Sequence, residues 1–352
     1  MFHPLRVSAV DRLTDDAVAV TLAVPPELRS AYGYAPGQHV ALRRGGERPG
    51  AVRRTYSLCA PASETPETLR IGVRRIEGGD FSTYALKELA VGDTVDVLPP
   101  TGRFQLEPRP GRFAAIVGGS GITPVLSIAA SLLGSEPEAR FCLIRSDRSV
   151  ASAMFLEEVA DLKDRWPERF QLVHVLSREE QQAGLPSGRL DEERLGGLLP
   201  ALLTAEGVRE IDGWYLCGPL GLVEGAVTAL RGLGVPRSRI HQEIFHAEEA
   251  AAVRAPVETP DSATVTATLD GRSGSWPVDD GETVLETVLR NRGDAPYACK
   301  GGVCGTCRVR LRSGEVRMDR NFALEPEELD DGYVLACQSH PVTRNVEVDF
   351  DA

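Results

Sequence analysis

A chain of 352 residues has room for two or three domains at roughly 100 to 200 residues each, which excludes a single small module. Its 39 Lys and Arg against 51 Asp and Glu give a formal charge of −12 and a pI near 5.1, which argues against a phosphate backbone or an anionic membrane as main ligand. No apolar run or leader-like N-terminus stands out, and seven cysteines are too few and too odd in number for a disulfide scaffold, so the expectation is a soluble cytoplasmic protein.

Up to residue 106 the apolar residues alternate (Val18, Val20, Leu22, Val24; Val40, Leu42; Ile71, Val73; Val95, Val97) between Pro and Gly punctuation, as in an antiparallel barrel or sandwich. Within it, RTYS at 54–57 follows PGQHVAL at 36–42. Such a strand offers a guanidinium (Arg54), an aromatic ring (Tyr56) and a hydroxyl (Ser57), or it is simply surface strand. Further on, GGDFST places Gly78, Gly79, Ser82 and Thr83 ahead of a helix-like stretch, where free N–H groups suit a phosphate or merely cap a helix.

From 107 to 246 the texture changes to short apolar runs (113–117, 141–144, 170–176, 214–217, 240–245) separated by helical stretches, the pattern of a buried parallel sheet in an α/β domain. GGSGITP, with Gly119, Gly121 and Thr123, joins the first run to a helix and makes a diphosphate seat, although Pro124 stands where the dinucleotide fingerprint has its last glycine. CGP, with Cys217 and Gly218, ends a later strand at the edge where α/β sheets bind ligands; the alternative for Cys217 is a structural core thiol, the role also expected of Cys59 and Cys142. The six histidines are scattered and read as structural.

Residues 247–260 are polar, Ala-rich and Pro-containing and read as a linker. The remaining segment, 261–352, is a compact α+β pattern with 17 acidic against 10 basic residues, and it holds C-x4-C-x2-C-x29-C from Cys299, Cys304, Cys307 and Cys337. That is the plant-type [2Fe–2S] spacing. Zinc sites more often pair one C-x2-C with another, and no second pair is present.

Taken in this order, the motifs resemble the ferredoxin–NADP reductase superfamily with a plant-type ferredoxin fused at its C-terminus, over essentially the whole chain. The resemblance implies a multidomain fold: a flavin-binding antiparallel β-barrel (1–106), an NAD(P)-binding α/β domain (107–246) and a β-grasp ferredoxin domain (261–352). It gives Arg54, Tyr56, Ser57, Gly79 and Ser82 to the flavin, and Gly119, Gly121, Thr123, Cys217 and Gly218 to the pyridine nucleotide. Glu243 and Phe245 resemble a Glu-x-aromatic element near the flavin, with Ser57, Cys217 and Glu243 the catalytic candidates. Ser177 and Arg178 resemble the pair that holds the 2′-phosphate of NADPH, whereas Asp147, Glu179 and Glu180 offer carboxylates that would favour a ribose hydroxyl.

The implied activity is electron transfer from NADPH through FAD, with FMN the alternative, to a [2Fe–2S] cluster and on to an oxygenase. GGDFSTYA, PYACKGGVCGTC and ALEPEELDDGYVLACQ point within the superfamily to reductases serving a di-iron phenylacetyl-CoA epoxidase. The rivals are the reductase of a ring-hydroxylating or steroid-type oxygenase and, from another class, a zinc-stabilised binding module.

Overall fold

The alternating residues of the first hundred positions fold, in a computed structural model that describes residues 1–44, 53–179, 187–246, 260, 262–293, 295–297 and 300–352, into six antiparallel strands. These are β1 (His3–Thr14), β2 (Ala17–Ala23), β3 (His39–Arg43), β4 (Arg53–Ser57), β5 (Thr68–Arg74) and β6 (Thr94–Val97), in the order β4-β3-β6-β1-β2-β5. A Leu58↔Ile71 bridge and the Cys59 N–H donating to the Arg70 carbonyl at 2.9 Å join the two outer strands, closing the sheet into a barrel. Val20, Leu22, Val40, Leu42, Ile71 and Val97 fill it.

Helix α1 (Asp80–Lys87) crosses between β5 and β6. It begins directly after Gly79, so Ser82 and Thr83 lie inside its first turn and not ahead of it as expected. The reason is local: the Ser82 hydroxyl accepts the Ile76 N–H at 3.1 Å and donates to the Gly79 carbonyl at 3.4 Å, folding the loop onto the helix.

The apolar runs that follow are strands of one parallel sheet, ordered β11-β10-β7-β8-β9. They are β7 (Arg112–Gly118), β8 (Arg140–Asp147), β9 (Phe170–Leu176), β10 (Gly213–Pro219) and β11 (Ile240–His246). Between them run α2 (Ile122–Ser135), α3 (Leu156–Arg165), α4 (Glu192–Leu203), α5 (Ala205–Arg209) and α6 (Leu220–Gly232). Helix α2 is buried on nearly every side. It shares one core with the sheet and with barrel residues Ala17, Ala19 and Phe104, and the Ala62 N–H donates to the Ser131 hydroxyl at 2.8 Å. Barrel and sheet therefore form one compact unit, Met1–His246, and the boundary expected at residue 106 lies inside it.

The second unit is Ala247–Ala352. Of the expected linker, residues 247–259 lie outside the described residues. A mixed sheet, ordered β13-β12-β18-β14-β16, is built from β12 (Thr264–Leu269), β13 (Arg272–Pro277), β14 (Arg308–Ser313), β16 (Tyr333–Leu335) and β18 (Asn345–Asp349). Helix α7 (Val284–Asn291) packs on it, started by a capping box in which Thr283 and Glu286 satisfy each other's N–H groups at 3.2 and 3.0 Å. A short pair, β15 (Val316–Met318) with β17 (Ser339–Pro341), and helix α8 (Pro326–Asp330) complete this β-grasp arrangement. No helix among the described residues is long and apolar enough to cross a membrane.

Candidate functional site

Parallel strands present their carboxyl ends at one edge of a sheet, and three residues distant in sequence meet there. Strands β10 and β11 pair with Cys217 beside Glu243. Strand β4 ends at Ser57, whose hydroxyl donates to Glu243 Oε2 at 3.4 Å. Cys217 is fully buried. Burial first, then the Glu243 charge, push its thiol well above the ordinary value, which keeps it neutral: a small polarizable surface and not a thiolate nucleophile.

His39, read from the sequence as structural, belongs to this group. It lies opposite Ser57 in the β3–β4 ladder, and its Nδ1 stands 3.7 Å from Glu243 Oε1. Its Nε2 is buried with no hydrogen-bond partner among the described residues. The available signal was a histidine inside the apolar stretch HVAL; its register against Ser57 is a property of the fold. Past Glu243 the β10–β11 register slips by one residue at Phe245, a bulge of the kind that re-aims side chains near sites. Phe245 is half-buried against the core of α2 and the sheet.

Along β4, Arg54 is exposed and its Nη1 donates to the Arg53 carbonyl at 2.9 Å, with no carboxylate partner among the described residues. Burial raises the Tyr56 phenol well above its ordinary value. The Tyr56 ring lies 5.3 Å from that of Phe81 in the first turn of α1, so RTYS and the GGDFS turn adjoin. At Gly79 that helix has no side-chain cap, leaving its first N–H groups available to an anion.

Gly119–Gly121 form a single 3-10 turn from β7 into α2. A Cβ at Gly121 would run into the Cys217 carbonyl, so only glycine lets this turn approach the end of β10, and a Cβ at Gly218 would stand 2.9 Å from the Gly118 nitrogen. Thr123 is buried and its Oγ1 donates to the Ser120 carbonyl at 2.9 Å, so the hydroxyl expected to face a diphosphate holds the turn itself. Glycine turn, Cys217, Glu243 and Ser57 thus form one continuous set.

Ser177 and Arg178 stand apart from it, past the end of the edge strand β9 on the same side of the sheet. Their N–H groups donate to the Asp147 and Arg148 carbonyls, each at 2.9 Å, and the Arg178 side chain is exposed. The carboxylate proposed as their competitor is placed differently from expectation. Asp147 is buried, and its Oδ2 receives Arg145 Nε at 2.8 Å and His174 Nε2 at 2.9 Å. Burial pushes its carboxyl up, but the His174 hydrogen bond and the Arg145 guanidinium outweigh this and hold it below the usual range. A carboxylate engaged inward in this way is not offered to a ribose. Glu179 accepts the Val150 N–H at 3.4 Å, and Glu180 lies outside the described residues.

In the second unit Cys304 and Cys307 precede β14, and Cys337 lies between β16 and β17; Cys299 lies outside the described residues. Cys304 is half-buried, and Cys307 and Cys337 are buried. The hydrogen bond with Cys337, then burial, then the sulfurs of Cys337 and Cys304 push the Cys307 thiol well above its ordinary value. Sulfurs that oppose one another's ionisation are stabilised as thiolates by cations, and Thr306 Oγ1 beside them is buried with no partner among the described residues. Among the described residues no three His, Cys, Asp or Glu side chains converge as a single ion requires. A two-iron cluster spreads four thiolates over two metals, and four cysteines in this spacing are a donor set that fits it.

Comparison with known proteins finds three domain families along the chain. Residues 4–106 match the oxidoreductase FAD-binding domain, 115–228 the oxidoreductase NAD-binding domain, and 267–342 the 2Fe-2S iron-sulfur cluster binding domain. The chain is 43% identical over 357 residues to a component of the 1,2-phenylacetyl-CoA epoxidase of Escherichia coli K12, covering 100% of this chain and 98% of that one. It is 35% identical to the ferredoxin reductase component of 3-ketosteroid-9-alpha-monooxygenase from Rhodococcus rhodochrous, over 98% and 96% of the two chains. Among solved structures, phthalate dioxygenase reductase, described as a modular structure for electron transfer from pyridine nucleotides to [2Fe-2S], superposes with a TM-score of 0.62 at 26% identity, covering 99% and 98%.

Proposed function

The chain belongs to the ferredoxin–NADP reductase superfamily, among the members with a fused 2Fe–2S ferredoxin domain, and from that membership we propose that it takes electrons from NADPH and passes them to a di-iron oxygenase acting on phenylacetyl-CoA. It is an oxidoreductase, the reductase component of an oxygenase system, carrying electrons from NAD(P)H through FAD to a 2Fe–2S cluster. When bound, the flavin supplies the exchange between a two-electron hydride donor and a one-electron acceptor.

The observation that carries the reading is the meeting of Ser57, Cys217 and Glu243 beside the glycine turn. In our reading residues 1–106 hold the flavin: Arg54 and the Gly79–Ser82 turn take its diphosphate, Tyr56 lies against its ring and Phe245 covers it. Ser57 and Glu243 hold a proton at its edge, with His39 behind them. Residues 107–246 hold the pyridine nucleotide, with Gly119, Gly121 and Thr123 shaping the diphosphate seat and Cys217 with Gly218 leaving room for the nicotinamide. After the 247–260 linker, Cys299, Cys304, Cys307 and Cys337 of segment 261–352 hold the cluster.

Two observations favour NADPH over NADH. Arg178 presents an exposed guanidinium suited to a 2′-phosphate, and Asp147, the carboxylate that would favour a ribose hydroxyl, is engaged by Arg145 and His174. The choice of oxygenase rests on 43% identity to the epoxidase component against 35% to the ketosteroid reductase. We place the protein in the cytoplasm, a reducing compartment in which cysteines stay available to a cluster.

The test is an anaerobic visible spectrum before and after one equivalent of NADPH, with NADH in parallel, followed by reconstitution with candidate oxygenases. Bleaching of flavin and cluster bands faster with NADPH, and epoxide formation from phenylacetyl-CoA, are expected. Equal or faster bleaching with NADH overturns the NADPH assignment, and turnover only with a steroid or ring-hydroxylating oxygenase overturns the partner.

A further inference from the structure

Gln338 follows the fourth cysteine and is buried, although its amide is strongly polar. A buried amide is costly unless satisfied, so its partners define what it is for. Its Nε2 donates to the Cys337 carbonyl at 2.9 Å and the Lys300 carbonyl at 3.0 Å, and approaches Cys337 Sγ at 3.4 Å. All three are acceptors, which fixes the nitrogen and not the oxygen toward them.

The rest of the residue is equally committed. Its backbone N–H donates to the Leu335 carbonyl at 2.9 Å, and its carbonyl accepts the Asp319 N–H at 2.8 Å. Its stem packs on Gly302: a Cβ there would stand 3.1 Å from Gln338 Cγ, and Gly302 has a φ of 78°. Lys300 sits in the left-handed region at φ 52°, a conformation that a non-glycine residue keeps only where its surroundings hold it. The Gln338 bond to its carbonyl is such a hold.

We propose that Gln338 is a positioning residue for the cluster: its side-chain amide ties the cysteine loop at Lys300 to Cys337 and donates to the Cys337 sulfur, favouring the reduced form. The electrostatic reason is that one-electron reduction adds negative charge shared by the sulfurs, and an N–H aimed at a sulfur interacts more strongly with it after reduction than before. The proposal rests on the 2Fe–2S reading. Iron and sulfide analysis of the unaltered protein tests that reading separately.

The experiment uses the full chain with FAD and cluster bound, and Gln338→Met, which keeps the length and removes the donors. Potentiometric titration followed by EPR should show the one-electron reduction constant falling by about tenfold, or about 59 mV. Iron content, flavin potential and NADPH-dependent ferricyanide reduction should be unchanged. A cluster potential equal to the unaltered protein's, at full iron content, overturns the proposal. Should Gln338→Met fail to retain iron, the unaltered protein decides. Gln338 is the sole glutamine in Ala247–Ala352. Pulsed EPR of the reduced protein, enriched with side-chain 15N-glutamine, should therefore show a nitrogen coupled to the cluster, and its absence refutes the contact.

Discussion

Cys217 in the Met1–His246 unit and Cys307 in the Ala247–Ala352 unit are 0% and 3% exposed, yet their surroundings give them different chemistry. Cys217 is buried beside the Glu243 carboxylate, and both burial and that charge oppose loss of its proton, so it remains an inert, soft surface. Cys307 has its environment made by other thiols, Cys337 and Cys304, each of which makes a negative sulfur less favourable unless metal charge answers it. A thiol buried beside a carboxylate is preserved; one buried against other sulfurs is prepared for metal charge.

The largest effects should come from breaking that contrast with the same substitution in both units. Cys307→Ala is expected to abolish the cluster's visible bands and all oxygenase-coupled turnover, while ferricyanide reduction by NADPH persists. Cys217→Ala should keep both the cluster bands and bound flavin, yet slow flavin reduction in stopped flow by up to about 100-fold through misplaced reactants. A Cys217→Ala protein lacking the cluster, or a Cys307→Ala protein unable to reduce ferricyanide, would merge two centres that the structure separates.

The two centres also differed in how far the sequence disclosed them. The cysteine spacing was legible because the loop ligands are sequence neighbours and only Cys337 is distant. The parallel sheet was legible for a related reason: runs such as FAAIV and WYLC are apolar on both faces. Helices α3 and α4 were harder to place because each buries only two residues, Val159 with Leu162 and Leu195 with Leu199, too sparse a stripe to read. The surroundings of His39 and Asp147 were not legible because they depend on partners set by register. Ser57 faces His39 only once β3 and β4 are paired, and Arg145 and His174 reach Asp147 from β8 itself and from β9.

Asp147 sharpens the comparison from the side of a charge that stays charged. Unlike the thiols it is ionised in burial, because Arg145 and His174 answer it. Asp147→Asn leaves the buried Arg145 uncompensated and should cost about 3–5 kcal/mol in urea unfolding, with no gain in NADH use. Its folded carboxyl is held below the unfolded value of about 3.9, so its stabilising contribution is complete above that value and lost as pH falls through the folded one. Acid should therefore narrow the stability gap between the two proteins. A gap that widens below pH 4 contradicts the assignment.

Arg178 is the exposed counterpart of that buried pair. If it holds a 2′-phosphate as proposed, Arg178→Ala should raise KM for NADPH by about tenfold, the worth of one hydrogen bond to a charged group, with kcat and the NADH parameters unchanged. An unaltered NADPH KM removes the 2′-phosphate role.

The smallest effect concerns charge at the surface of the cluster unit, where segment 261–352 holds 17 acidic against 10 basic residues and accounts for −7 of the chain's −12. Such a field speeds encounter with an oppositely charged partner, and it is screened over about 8 Å at physiological salt. If the oxygenase offers a basic patch, reconstituted turnover at limiting reductase should fall by about threefold between low and moderate ionic strength, through the association step. Ferricyanide reduction is the wrong control, because an anionic acceptor senses the same field. Flavin reduction by excess NADPH, saturated and followed in stopped flow, involves no partner and should stay level. Turnover equally level across that range would make the acidic face a solvated surface and leave partner recognition to contacts that salt does not reach.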